Sequence, residues 1–230
     1  MCGRINQFSN INVLLRQFSA ELRDDPDRYR LKHNLPPTLD VPVVRADDSG
    51  RYVTLMRWGL LPAWTKDLKT APMLNNARAE TVAEKPSFRS AFKKRRCIIP
   101  VTGFYEWQDD TKPKQPFYFH STENKMLAFA GLWETWRKDE LTIDSCTIVT
   151  TDANKTMAAV HTRMPVILAT NDYDRWLDPK HTDATDLLPM LAPCPDDEIT
   201  CYRVSTFVNN ARNEGPECVE PIDSVDATLF

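Results

Sequence analysis

The sequence has no long apolar run. Residues 1–20 mix polar and apolar positions, which excludes the hydrophobic stretch of a secretory signal peptide. No segment is apolar over the length that crosses a bilayer, so a membrane-spanning helix is excluded as well. We therefore expect a soluble, intracellular protein that has no membrane partner.

The sequence also lacks closely spaced metal ligands. The six cysteines form no CxxC pair, and the four histidines are far apart. In a chain of 230 residues without a leader, scattered cysteines favour reduced thiols over a disulfide framework. Local zinc ligation is disfavoured too, and we predict neither a metal nor a cofactor. The cysteines are Cys2, Cys97, Cys146, Cys194, Cys201 and Cys218.

Acidic residues are concentrated at the end of the chain. The formal net charge is −3, and residues 214–230 contain five carboxylates and no basic side chain. The remaining residues, 1–213, therefore have a mildly positive balance, which is compatible with a local basic groove for nucleic acid but does not require one. We predict a single domain over 1–215, followed by an acidic tail over 216–230.

Short β-type runs dominate the pattern, and no internal repeat is present. The spacing of Ile11, Leu14, Leu15, Phe18 and Leu22 predicts a first helix, capped by Ser9 or Asn10 and ended by residues 24–28. Residues 66–76 have no period and are predicted to be a loop that leads toward a site. Because helices do not alternate regularly with strands, we predict an α+β single domain. Its core would be a mixed, mainly antiparallel β-sheet, barrel-like, with peripheral helices. Strands are predicted over 41–44, 52–58, 97–107, 116–119, 126–133, 145–151, 165–169 and 200–205, and further helices near 86–95, 153–160, 171–177 and 183–190.

Cys2 is the most informative candidate for chemistry. A small second residue favours removal of the initiator methionine, which would leave Cys2 with a free α-amine beside its thiol. The reference pKa values of these groups are roughly 8 and 8.5, so some neutral amine and some thiolate exist near neutral pH. A 1,2-aminothiol captures aldehydes, first as an imine and then as a thiazolidine ring. The alternative is an ordinary residue at a frayed terminus.

Two further titratable residues suit proton transfer. Glu106 lies at the end of an apolar run, on the same strand face as Phe104, where partial desolvation would raise its pKa. His161 lies between a short helix and a strand and can move protons near neutral pH. A solvated carboxylate and a structural histidine are the alternatives, and each is the more common outcome for an isolated residue.

Three other segments suggest binding to nucleic acid. Residues 75–80 offer an amide and a guanidinium for a substrate, or else a helix start capped by Asn76. The basic stretch 88–96 suits phosphates or a nuclear-import patch, but compensation of a helix C-terminus is favoured. Trp58, Trp64 and Trp107 can stack on unpaired bases, although Trp58 is better explained as a core residue.

Eight motifs occur in a specific order from the first residue to about residue 215. Together they resemble the SRAP (SOS-response-associated peptidase) family, whose members act in abasic-site crosslinking. The sequence departs from relatives at His33, Pro36 and Thr65. These departures affect the expected base stacking and not the expected chemistry of Cys2. The motifs are MCGR, HNLPP, RWGLLPAW, NNARAET, RRCIIPVTGFYEW, IVTTDAN, HTRMPVIL and VSTFVNNARN.

The resemblance implies a set of site residues within a positively charged groove for single-stranded DNA. Cys2 would be the covalent residue, surrounded by Asn76, Glu106 and His161. Phosphates near the lesion would be held by the arginines, and flanking bases would be supported by the tryptophans. These residues are Arg4, Arg78 and Arg163, and Trp64 and Trp107.

The implied reaction is covalent capture of an abasic site in single-stranded DNA by a monomer. Thiazolidine formation would compete with β-elimination, the abasic-site lyase reaction, and a self-processing peptidase activity is also implied by the family name. The protein would be cytoplasmic, nucleoid-associated if bacterial and nuclear if eukaryotic. Two alternatives remain open at this stage: an N-terminal-nucleophile amidohydrolase, which also begins Met-Cys-Gly, and a noncovalent single-stranded DNA-binding module.

Overall fold

The computed structural model describes residues 2–108 and 112–222. Short 3₁₀ helices connect several of its elements. The strands are β1 (Ile5–Gln7), β2 (Ala20–Leu22), β3 (Lys32–Leu35), β4 (Asp40–Asp47), β5 (Gly50–Trp58), β6 (Asn76–Arg78), β7 (Arg96–Val101), β8 (Gly103–Gln108), β9 (Gln115–Ser121), β10 (Leu127–Lys138), β11 (Leu141–Asp152), β12 (Arg163–Pro165) and β13 (Ile199–Arg203). The α-helices are α1 (Ile11–Phe18), α2 (Arg89–Lys94), α3 (Lys155–Ala158), α4 (Tyr173–Leu177) and α5 (Ala184–Leu187).

The larger sheet has eight strands. Seven follow the order β12-β11-β10-β7-β4-β5-β2, and β6 pairs with β11 beside them. The long hairpin of β10 and β11 runs from the pair Gly131 and Ile148 to the pair Lys138 and Leu141. Three pairings are parallel: β2 with β5, β5 with β11, and β6 with β11. The neighbouring strands from β12 to β5 in the order above pair antiparallel.

The smaller sheet has five strands in the order β13-β9-β8-β1-β3, all antiparallel. Because side chains alternate along a strand, each cross-strand row faces one side. The row Ile5, Phe104 and Phe119 faces the core. We call this side the inner face. The neighbouring row, with Tyr105 and Tyr118, belongs to the outer face, which is packed against residues of the segment 204–219.

Two apolar cores flank the larger sheet. One lies between the two sheets and includes Cys2, Trp58 and Phe129, and the other lies beneath α1, α2 and α4 and includes Phe18, Phe92 and Trp176. Trp58 is fully buried, and its Nε1 donates to the backbone oxygen of Asn75 at 3.0 Å, which confirms the prediction that it is a core residue. A single α+β domain with a mixed, mainly antiparallel β core and peripheral helices is likewise confirmed.

The structure corrects several predicted elements. Helix α1 ends at Phe18 because Ser19 adopts the left-handed conformation (φ 49°), so Leu22 lies in β2 and not in the helix. The predicted strand over 97–107 is two strands, β7 and β8, separated at Thr102. Asn76 lies in β6 and does not cap a helix. The predicted strand over 165–169 overlaps β12 only at Pro165, with Ile167 bridging to Phe129.

The basic stretch 88–96 terminates a helix, as favoured from the sequence. Arg96 is buried, and its guanidinium donates to five backbone carbonyl oxygens, among them those of Phe92 and Lys93 at the end of α2. The same guanidinium also donates to Trp176 and Asp178 at the end of α4. Arg96 is therefore a structural residue.

No helix in the described ranges is long and apolar enough to cross a membrane.

The segment that follows residue 215 remains packed against the domain as far as it is described. Cys218 is fully buried, Tyr202 Oη donates to the backbone oxygen of Val219 at 2.8 Å, and Pro221 forms a bridge with Val204. The predicted boundary at 215 stays a prediction. The rest of the predicted tail, residues 223–230, lies outside the described residues.

Candidate functional site

Cys2 lies in the core between the two sheets. Its side chain is fully buried beside residues such as Ile5 and Trp58. The side-chain amide of Asn76 donates to the backbone oxygen of Cys2 at 2.8 Å. Asn76 is presented by β6, which pairs in parallel with β11 so that Asn76 lies opposite Ile148. The pairing of β6 with β11 therefore positions the Asn76 side chain that holds the backbone of Cys2.

Glu106 comes to the same place from β8. It shares the inner face with Phe104 and is 3% exposed, so the predicted desolvation of this carboxylate is found. Continuing the register in which Ile5 lies opposite Phe104 places Gly3 opposite Glu106. Burial raises the pKa of the Cys2 thiol well above its usual range, and the nearby Glu106 carboxylate raises it further, while a hydrogen bond from the Arg4 backbone N–H acts in the opposite direction.

His161 lies between α3 and β12, as its neighbours in the sequence predict. Its backbone N–H donates to the Met157 oxygen at 2.9 Å, and the Arg163 backbone N–H lies 2.9 Å from its Nδ1. The Arg163 backbone oxygen also lies 3.1 Å from the same Nδ1, so the backbone of Arg163 holds this nitrogen in either tautomer of the imidazole. Strand β12, which follows His161, pairs with one edge of β11. Strand β6, which contains Asn76, pairs with the other edge of β11. The catalytic roles of Cys2, Asn76, Glu106 and His161 stay predictions.

Arg4 and Trp107 meet on the outer side of the five-stranded sheet. The Arg4 guanidinium donates to Asn34 Oδ1 at 2.6 Å and to the Val208 oxygen at 3.0 Å, and its Cζ lies 5.6 Å from the centre of the Trp107 ring. The Trp107 Nε1 donates to Asn209 Oδ1 at 2.6 Å. Both predicted DNA-binding residues are thus held in fixed orientations.

The other two predicted phosphate-binding arginines differ in their surroundings. Arg78 ends β6 and is exposed, and its guanidinium forms no hydrogen bond or ion pair within the described part of the chain. Arg163 donates to Glu80 at 2.7 and 3.0 Å and to Asp152 at 2.7 Å. Burial acts to lower the pKa of Arg163, but these carboxylates outweigh it and raise the pKa. Trp64 is 59% exposed in the loop after β5.

Comparison with known proteins shows the family of the chain. The sequence model of the family described as SOS response associated peptidase (SRAP) matches residues 1–211. The chain belongs to the SRAP family. It is 40% identical over 222 residues to the abasic site processing protein YoqW of Bacillus subtilis, an alignment that covers 96% of this chain and 99% of that protein. It is 35% identical to the abasic site processing protein HMCES of Xenopus tropicalis, over 86% of this chain and 68% of that protein.

A solved structure of this fold is also similar. The crystal structure of a protein from Bacteroides thetaiotaomicron superposes with a TM-score of 0.85 at 25% sequence identity. The superposition covers 96% of this chain and 99% of that one. Within the SRAP fold, the described residues include no group of three or more His, Cys, Asp or Glu side chains that could hold a metal ion.

The structure adds Asn34, a residue that the sequence did not single out. Asn34 is buried, accepts from Arg4, and donates through Nδ2 to the backbone oxygens of Val208, Asn210 and Asn213 at 3.2, 3.1 and 2.9 Å. It thereby joins β3 to the segment that covers the outer face. Its motif, HNLPP, was recognisable, but nothing local indicates partners more than 170 residues away.

Proposed function

We propose that this protein senses abasic sites in single-stranded DNA and captures them covalently through Cys2, after removal of Met1. The observation that carries this proposal is the meeting of Cys2 with Asn76 and Glu106 at one buried place. Support also comes from relatives of nearly full length that are named abasic site processing proteins. The chemistry requires an amine and a thiol on one residue, which a terminal Cys2 supplies.

The reaction proceeds in two stages that balance atom by atom. The Cys2 amine attacks C1′ of the open-chain aldehyde, and the carbinolamine loses one water to give an imine. The thiol then adds across the C=N bond, its sulfur bonding to C1′ while its proton ends on nitrogen, which closes the thiazolidine. Confinement of amine and aldehyde in one site replaces a high concentration of reactants.

Burial determines the order of these stages. Because burial raises the pKa of the Cys2 thiol, the thiol stays protonated and is a poor nucleophile until a base takes its proton. The amine therefore reacts first, and Glu106 transfers protons during dehydration and ring closure. Asn76 positions Cys2 by donating to its backbone oxygen. The buried Oδ1 of Asn76, which has no hydrogen-bond partner in the described residues, is available to accept from the new amine or a sugar hydroxyl. His161 assists opening of the sugar hemiacetal by proton transfer at the ring oxygen.

The arginines and tryptophans bind the strand around the lesion. Arg78 is available for a phosphate as it stands, whereas Arg163 must exchange Glu80 and Asp152 for one. Arg4 is held by Asn34 and the Val208 oxygen and approaches a phosphate without moving. Trp64 and Trp107 support flanking bases by stacking. The protein acts as a monomer on single-stranded DNA inside the cell.

The decisive test mixes the mature protein with single-stranded DNA containing one abasic site. A denaturing gel and intact-mass analysis should show an adduct whose mass equals protein plus DNA minus one water. Cys2→Ala should abolish it, whereas Cys201→Ala, which removes a half-buried thiol of β13, should not. Absence of an adduct from folded protein with Met1 removed would overturn the proposal, as would an adduct that persists in Cys2→Ala.

Two side activities follow from the same intermediate. An imine that is not captured by the thiol can undergo β-elimination, which cuts the strand, so slow lyase activity is expected. Removal of Met1 by the protein itself would be the peptidase activity. A fully active protein that retains Met1 would contradict the terminal-aminothiol mechanism, and mass analysis of the mature protein decides this point.

A further inference from the structure

A cavity on the outer face of the five-stranded sheet is separate from the Cys2 site. Its volume is about 510 Å³, within the range of small-molecule sites. It lies at the Gly103 end of β8, beneath α1 and the turn after β9. Glu106 faces inward from the other end of β8, roughly 10 Å away at ~3.3 Å per residue. The sheet itself therefore separates this cavity from the proposed chemistry.

Aromatic rings form the walls of the cavity. Phe8 is 47% exposed, and one side of its ring is stacked on His33 with centroids 3.8 Å apart. Across the cavity, Tyr118 and His120 are stacked at 5.7 Å, and Tyr202 packs against both. Such surfaces favour a flat, conjugated ligand.

Polar groups of the cavity have unused hydrogen-bonding capacity. Asn6 is 2% exposed and lines the cavity, and its Nδ2 donates to Tyr118 Oη, but its Oδ1 has no partner among the described residues. His33 also lines it, and its buried Nδ1 lacks a partner in the same part of the chain. Buried polar atoms are seldom left unpaired, so these two point to a ligand with hydrogen-bonding groups at its edge, including a donor for Asn6 Oδ1.

The charge of the cavity favours a neutral or anionic ligand. The described residues that line it include Lys125 and two histidines but no carboxylate. Lys125 is paired with the exposed Glu123, a contact that a phosphate can replace.

The walls of the cavity are fixed before any ligand binds. The Gln17 side chain accepts from the Met126 N–H at 3.0 Å and donates to the Met126 oxygen at 2.7 Å, which ties α1 to the turn after β9. The Phe8 N–H donates to Thr102 Oγ1 at 3.2 Å. A preformed cavity loses little conformational entropy when it binds a ligand.

We propose that this cavity binds a nucleobase with its adjoining phosphate, stacked on Phe8 and hydrogen-bonded by Asn6. The choice of a nucleobase over other flat rings rests on the proposed function in DNA. The base comes either from the strand that is held at Cys2 or from a free nucleotide. Asn6 Oδ1 is a buried acceptor, and an exocyclic amine projects further from the ring than the N3–H of thymine, so a base with an exocyclic amine should bind more tightly than thymine.

The test titrates the full-length protein with dAMP, dCMP and dTMP by calorimetry. We expect saturable binding of dAMP and dCMP, weaker binding of dTMP, and about tenfold weaker binding in Phe8→Ala, as loss of one base–aromatic stack predicts. Leu141→Ala, which removes a side chain that is 49% exposed at a distant turn, is the matched control and should bind normally. Lys125→Ala should weaken binding of the phosphate-bearing ligands, and Lys155→Ala, at another surface ion pair, should not.

A second arm identifies the source of the base. If the base belongs to the bound strand, undamaged single-stranded DNA displaces dCMP, and Phe8→Ala weakens binding of that DNA. If the ligand is a free nucleotide, dCMP and DNA bind together. Absence of saturable nucleotide binding together with unchanged DNA affinity in Phe8→Ala overturns the inference. Crosslinking of short abasic DNA is expected to be unchanged in Phe8→Ala, so failure of this inference is distinguishable from failure of the Cys2 chemistry.

Discussion

The inner and outer faces of the five-stranded sheet are built from the same strands but have different chemistry. Along β8, Phe104 and Glu106 point inward to Cys2, whereas Tyr105 and Trp107 point outward. The inner face encloses its polar groups in an apolar core. On the outer side, Arg4 and Trp107 form hydrogen bonds to the segment 204–219, whereas Asn6 and His33 in the cavity each keep one atom without a partner among the described residues. One alternating pentapeptide, Gly103 to Trp107, thus supplies the proposed reacting group, Glu106, to one side and the proposed binding group, Trp107, to the other.

Glu106→Gln should have the largest effect, on the inner face. Loss of the proton carrier should slow crosslinking about 100-fold, the lower end of general acid–base contributions. Because the Glu106 charge raises the pKa of the Cys2 thiol, its removal should lower that pKa. Crosslinking time courses and the pH dependence of thiol alkylation measure the two effects. Glu134→Gln, which neutralises another poorly exposed carboxylate, is the control. Faster crosslinking, or an unchanged thiol pKa, would contradict the assignment.

Asn34→Ala should have the next largest effect, on the outer face. It removes the donor for three backbone oxygens and the acceptor for Arg4, so the free energy of unfolding should fall by about 2 kcal/mol. Urea denaturation followed by tryptophan fluorescence measures this loss. Asn210→Ala removes only a local contact to the Arg212 N–H and should cost much less. Equal losses in the two variants would show that Asn34 does not anchor the segment.

Arg78→Ala and Arg163→Ala compare an arginine without a carboxylate partner among the described residues with an arginine that is held by two carboxylates. Each phosphate contact contributes about 0.7 to the slope of log K against log salt for single strands. Arg78→Ala should remove about that amount, whereas Arg163→Ala should remove less because Glu80 and Asp152 compete with phosphate. Fluorescence anisotropy with undamaged single-stranded DNA between 50 and 200 mM salt, a range of about fourfold, measures both slopes. The reverse order would contradict the proposed exchange of partners.

Acidification should have the smallest effect. Burial lowers the pKa of His33, although Glu214 and Glu217 partly offset this. Because the folded pKa lies below the unfolded value of about 6.5, the unfolded chain binds more protons at lower pH, so His33 reduces stability as the pH falls below that value. The Tm at pH 5 should therefore be lower than at pH 7, and His33→Phe should reduce this difference. A larger difference in Tm between pH 5 and pH 7 in His33→Phe would show that protonation of His33 stabilises the fold, which would contradict this prediction.

The sequence predicted most strands because alternation is a local property. Residues 52–58 and 116–119 lie in strands as expected, and Asn10 caps α1. The predicted helix extends too far, since Ser19 adopts the left-handed conformation at the end of α1 and β2 pairs with β5 directly after it. Helix propensity at Leu22 was overridden by tertiary structure.

The candidate site could be predicted less well than the strands from local sequence patterns. No spacing rule brings Asn76 to the backbone of Cys2 across 74 residues, and the resemblance to a family was needed to group them. The carboxylates that hold Arg163 were also not foreseen, because a basic residue in a motif does not show whether an acidic partner reaches it. Pairing across the sheet decides such contacts, and the sequence specifies that pairing only through the whole fold.

The contact between Arg4 and the Val208 oxygen spans 204 residues. During translation, Arg4 therefore leaves the ribosome long before the segment that orients it has been made. At about 5–20 residues per second, the nascent chain presents Arg4 and the nearby Cys2 for roughly 10–40 s before that segment exists. Truncated products that lack residues 204–219 would retain Cys2, the proposed nucleophile, without the segment that holds Arg4. Synthesis of residues 204–219, and not merely removal of Met1, would then be required for the proposed capture of an abasic site.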